Sequence, residues 1–163
     1  VERALGILTR VESVVAAMAY TIVAILLIGD VIGREVFNVS ILGTKIIAVY
    51  TAIVAGFVGF SLATAANAHL RPEAFDRLVT GPAGDALART GDAVTGVFYL
   101  VLAWFGFTFV QFSMEAGDRA AVLYFALWPI QLIIPYTFVS SAIRHFAFAW
   151  RPELKPNNVA GER

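Results

Sequence analysis

Few side chains in this sequence are of types that do chemistry, and most fall at the edges of apolar stretches. His69 and His145 are the only histidines. Each lies near the end of a long apolar run, and imidazoles at one depth on two separate helices could ligate a haem. Glu12 and Asp30 flank the first apolar run, and an acid near the middle of a span would suit a small proton-coupled exporter. Glu12 is close to Arg10, while Asp30 precedes Arg34 by one helical turn and can pair with it. The sequence contains no HExxH, no phosphate-binding glycine loop, no serine-based triad and no carboxylate cluster. With no cysteine there is neither disulfide nor thiolate chemistry. The residues therefore point away from an enzyme and imply neither metal nor cofactor, with a haem-binding anchor of a redox complex as the alternative.

The elements that would position these residues are hydrophobic helices. Apolar residues make up 59% of the 163 and charged ones 15%, a balance that a soluble domain of this size could not bury. Ser13–Gly29, Ile46–Ala68, Ala93–Met114 and Ala120–Ile143 are almost free of charge. About 20 apolar residues in helix cross a hydrocarbon core about 30 Å thick. The fold class is thus an all-α integral membrane protein with four transmembrane helices. Residues 1–150 form the membrane domain and residues 151–163 a loose polar tail.

Helix one is expected at about Val11 to Ile32, after a short interfacial lead. Helix two is expected at Thr44 to Ala68, with Pro129 and Pro135 able to kink helix four. The outer hairpin Glu115–Arg119 makes helices three and four antiparallel neighbours. Between helices two and three, Glu73–Val79 can form a short interfacial helix, which Gly81-Pro82-Ala83-Gly84 ends. No charge is expected at the centre of any span.

Basic residues fix the expected orientation. Arg3, Arg10, Arg71, Arg77, Arg89, Arg144, Arg151, Lys155 and Arg163 share one side, leaving Arg34, Lys45 and Arg119 on the other. Cytoplasmic loops are the ones enriched in Lys and Arg, so both termini should be cytoplasmic. Equal numbers of acidic and basic residues leave no overall field to attract nucleic acid. Asp30, Arg34, His69, Arg71, Trp128, Arg144 and Trp150 are expected as interfacial anchors among membrane lipids. On helix two, Ala52, Gly56, Gly59 and Ala63 form a narrow small-residue face for helix or subunit packing. Phe98, Phe105, Phe109 and Phe112 make a bulky stripe on helix three that suits lipid or a large apolar partner.

In order and spacing, three segments resemble the small membrane subunit of tripartite ATP-independent periplasmic (TRAP) transporters. They are Gly33-Arg34-Glu35-Val36-Phe37-Asn38-Val39-Ser40-Ile41, Phe57–Ala63 leading into Ala68-His69-Leu70-Arg71, and Ala126-Leu127-Trp128-Pro129 with Pro135 and Arg144. The chain departs from the family's pattern at Leu42–Ile46, which lacks the usual tryptophan and acids, and at Tyr136, where glycine is often found. The resemblance implies a non-catalytic subunit of a secondary-active uptake system in the bacterial inner membrane. Its partners would be a large multispanning transport subunit, which holds the substrate site and which it would brace, and a periplasmic substrate-binding protein. The outer loops, Glu35–Gly43 and Glu115–Arg119, would help dock the latter.

Overall fold

The structure, a computed structural model, describes residues 1–39, 42–66 and 81–156. These form α1 (Glu2–Phe37), α2 (Thr44–Ala65), α3 (Pro82–Ala116), α4 (Trp128–Gln131) and α5 (Ile133–Trp150), then a 3-10 turn at Pro152–Leu154. Four helices are long and apolar enough to cross a membrane, with α4 and α5 together making the fourth. The expected interfacial helix at residues 73–79 lies outside the described residues, as does the tail beyond Pro156.

The helix boundaries correct the sequence reading in three places. First, α1 begins at Glu2, so residues 1–10 are helix and not an interfacial lead. At 1.5 Å per residue its 36 residues span about 54 Å, well beyond a hydrocarbon core. Second, α3 starts at Pro82. Proline suits the first helical position, where its missing N–H is not needed, and Asp85 complements the dipole of the first turn. Third, Ala120–Leu127 is a compact turn with an isolated bridge between Arg119 and Ala126. Helix cannot run back through it from α4, because Pro129 has no N–H for the Phe125 carbonyl and its ring would strike it. In the same way Pro135 leaves the Gln131 carbonyl without its helical donor, and the helix breaks at Leu132.

The C-terminal ends of α1 and α3 are closed by left-handed residues. Asn38 (φ 51°) ends α1, where the Gly33 carbonyl accepts the Val39 N–H at 2.9 Å. A Cβ on Gly33 would stand 3.0 Å from the Val39 carbonyl oxygen. Gly117 (φ 69°) ends α3, with the Asp118 N–H on the Ser113 carbonyl at 3.0 Å, a Schellman closure.

The helices pack in the spatial order α1, α2, α5, α3. On α3 the buried positions are Asp92, Gly96, Tyr99, Ala103, Gly106, Val110 and Ser113, a repeat of four and three residues that makes a coiled-coil-like seam against α5. Its two glycines allow the closest approach. A Cβ on Gly96 would come within 3.0 Å of the Phe146 ring, and one on Gly106 within 3.2 Å of Ile134 and 3.3 Å of the Pro135 nitrogen. Phe138 of α5 sits among Phe57 and Phe60 of α2 and Tyr99 of α3, with ring centroids 6.1–6.3 Å away. These aromatic contacts join α2, α5 and α3.

Gly106→Val should therefore loosen the seam, because Pro135 backbone cannot yield to the added methyls. Overpacking of this kind costs about 1–3 kcal/mol. A lower unfolding temperature of the purified chain in detergent checks this, with Gly56→Ala, which faces open space, expected to leave that temperature unchanged.

Candidate functional site

The largest buried polar constellation lies where α1, α2 and α5 meet. Glu12 belongs to α1, Ser61 to α2, and Tyr136, Ser140 and Arg144 to α5. Glu12 and Arg144 are each about 1% exposed. The Arg144 Nη2 donates to Glu12 Oε2 at 2.6 Å, and the Nη1 donates to Ser61 Oγ at 2.8 Å and to Ser140 Oγ. Both hydroxyls pass the hydrogen bond on, Ser61 to Glu12 Oε1 at 2.8 Å and Ser140 at 2.7 Å. Tyr136 Oη donates to the same oxygen at 3.1 Å. Thr9, one turn before Glu12, accepts from Arg144 Nη2 at 3.3 Å.

One turn further along α2, Thr64 meets Ser141 at 3.2 Å, and one turn in the other direction Thr137 donates to the Phe57 carbonyl at 3.2 Å. Hydroxyls on facing helices hold spans together where lipid supplies no hydrophobic drive between them. Both carboxylate oxygens accept from protein donors, and both Nη atoms of the guanidinium donate to protein. Chemically this is a clasp that holds three helices together.

The clasp shows Glu12 and Arg144, both expected near helix ends, buried between helices and paired with each other. Because α1 is helical from Glu2, Glu12 sits about three turns inside it. Residues two apart point to different sides of a helix, so Arg10 cannot serve as its partner. Arg144, expected as an interfacial anchor, is enclosed by α1, α2 and α5 instead. A signal was present in the sequence. Ser140 and Arg144 are one turn apart, Ser61 and Thr64 share a face of α2, and even-span topology brings the start of α1 to the end of α5. Tyr136, the position that departs from the family pattern, is itself a member of the clasp.

The other expected residues are dispersed. Asp30 is buried and pairs with Arg34, Oδ2 to Nε at 3.2 Å, one turn apart as the spacing predicts. Trp128 opens α4 partly exposed, and Trp150 closes α5 at 83% exposure. His69 and Arg71 lie outside the described residues. On α2, Ala52 and Gly56 are exposed and Gly59 and Ala63 half-buried, with Gly59 facing the Tyr20 hydroxyl. The face turned inward is Thr44, Ala48, Ala55, Val58, Ser61 and Thr64. Small residues at Ala52 and Gly56 therefore do not pack a helix of this chain. The four phenylalanines of the α3 stripe are all exposed.

His145 is buried, with its Nδ1 3.3 Å from Asp92 and its ring beside Tyr99 and Phe148. Its Nε2 is enclosed without a hydrogen-bond partner. Among the described residues no three His, Cys, Asp or Glu side chains gather closely enough to hold a metal ion.

Comparison with known families finds that the DctQ model, described as the DctQ component of tripartite ATP-independent periplasmic transporters, matches residues 11–153. The match begins one residue before Glu12 and includes all of α5. No curated protein sequence matches the chain.

Removing one side of the clasp should cost far more than removing both. Arg144→Leu leaves a buried carboxylate without its counter-ion, a loss of about 3–5 kcal/mol. Thermal unfolding in detergent should show a large drop for Arg144→Leu and for Glu12→Leu. The double variant should recover much of it, since neither charge is then stranded.

Proposed function

The chain belongs to the DctQ family of TRAP transporter components, and on that premise we propose that it is the non-catalytic small membrane subunit that braces a large transport subunit in the bacterial inner membrane. The observation that carries this reading is the state of the bundle's buried charges. Glu12 and Arg144 pair with each other and are hydrogen-bonded by Ser61, Ser140, Tyr136 and Thr9. A transport pathway needs polar groups that solute or ion can reach and leave. A brace needs a stiff interior and apolar outer faces. The flanking helices offer such faces, aliphatic along α1 from Ile22 to Ile32 and aromatic along α3 from Phe98 to Phe112.

The substrate site and the coupling to an ion gradient then belong to the large subunit. Ala52, Gly56, Gly59 and Ala63 are assigned to packing against that subunit, because Ala52 is exposed and a Cβ added at Gly56 would meet nothing within 4 Å. The excess of basic residues on the side of the termini supports a cytoplasmic N- and C-terminus. Arg34, His69, Arg71, Trp128 and Trp150 are assigned to the two membrane interfaces, and residues 73–79 to a short helix along the inner one. The outer loops at residues 35–43 and 115–119 are assigned to docking a periplasmic substrate-binding protein.

Purified alone and reconstituted in vesicles, the chain should take up no solute, and co-expression with the large membrane subunit should yield a stable complex. Gly56→Leu should lower recovery of that complex several-fold while the isolated chain keeps its unfolding temperature. Appreciable uptake by this chain alone would overturn the division of labour. Undiminished complex recovery would remove Gly56 from the interface.

A further inference from the structure

A second charged cluster lies at the end of the bundle that holds the termini, and the brace has no use for it. Asp92 on α3 is buried, and two nitrogen-bearing side chains converge on it. Lys155 Nζ donates to both carboxylate oxygens, at 3.0 and 2.8 Å, and His145 of α5 approaches the first at 3.3 Å. Lys155 belongs to neither helix. It follows the 3-10 turn, whose Leu154 and Lys155 N–H groups bond the Arg151 and Pro152 carbonyls at 3.0 Å.

The fold-back that brings it there is written into the sequence. A residue before proline is disfavoured in helix, so Arg151 turns to an extended conformation (φ −129°, ψ 89°) and α5 stops at Trp150. A continued helix would carry Lys155 onward along its axis. Instead the chain crosses back over the end of α3 and encloses a cavity of about 160 Å³ bordered by Arg89, Asp92, Phe148, Pro152 and Lys155. Lys155 also lies beyond residue 153, where the family match ends, so membership of the family does not supply this contact.

We propose that residues 151–155 form a strap, fastened by Lys155 on Asp92, that ties the chain after the last span across α3 and opens as a local unit. This rests on the Asp92 geometry alone and is independent of the bracing role. It also replaces the loose tail expected from composition with an ordered first segment. The strap is fastened on α3 through the Lys155 ion pair and leaves residues 151–153 exposed, which places its opening among the low-energy local motions of the protein.

Because the chain has no cysteine, a single cysteine at half-buried Leu154 reports opening through its rate of reaction with a water-soluble maleimide, measured on the full chain in nanodiscs. Lys155→Met should speed labelling roughly ten- to hundredfold, the range a charged hydrogen bond commands, and Lys155→Arg should keep most of the protection. Asp92→Asn should match Lys155→Met, with the double variant no faster than either. A cysteine at Glu115, on the opposite end of α3, should label at an unchanged rate in every variant. An unchanged rate at Leu154 in Lys155→Met overturns the strap. So does equal acceleration at residue 115, which marks general loosening in place of a local release.

Discussion

A charge taken into an apolar slab must bring its own solvent, and the contact between Glu12 and Arg144 shows how this chain meets that demand. Alone, either group would cost several kcal/mol to enclose. Together, with Ser61 and Ser140 each accepting from the guanidinium and donating to the carboxylate, they form a closed circuit. Closing it requires three helices to arrive in one register. The first span touches the fourth chiefly there, so the pair also decides how the amino-terminal helix is set against the rest. A buried ion pair is weak evidence for net stability, but a strong determinant of which arrangement is tolerated.

Beyond the clasp, the bundle is built on close approach. Gly96 and Gly106 bring α3 against α5, while Phe138 fills the space between α2, α5 and α3. The row-like order leaves the outer faces of α1 and α3 uncovered. In a protein surrounded by water, so much apolar surface would drive aggregation. In a bilayer it is ordinary lipid-facing surface, or the ground on which a larger membrane partner rests. The proposed bracing role needs this combination, since an element that braces must be stiff inside and compatible with hydrocarbon outside.

Glu12 lies about three turns into its helix, and both of its carboxylate oxygens are engaged by donors from the protein itself. Tyr136, standing where the family often has glycine, adds one more donor to the same oxygen. Local departures from a family pattern can thus reinforce a shared architecture.

Much of this was legible without coordinates. Hydropathy alone gave four spans, because the length of an apolar run and the thickness of a bilayer are the only quantities involved. The order of weak motifs gave the family, and the one-turn spacing of Asp30 and Arg34 gave their pair, since helical periodicity is local. The turn at residues 120–127 was missed because its residues are as apolar as a helix, and the barrier to helix comes from Pro129 further on. The glycine and alanine face of helix two suited a helix or a subunit alike, because small size does not say which neighbour approaches; the inward face is the one bearing Ser61 and Thr64. Sequence by itself determined what crosses the membrane, because burial in lipid depends on each segment alone. Only tertiary structure decided that Glu12 belongs with Arg144 and Asp92 with Lys155, because a pairing between distant residues depends on the rotation and register of separate helices, which no single segment encodes.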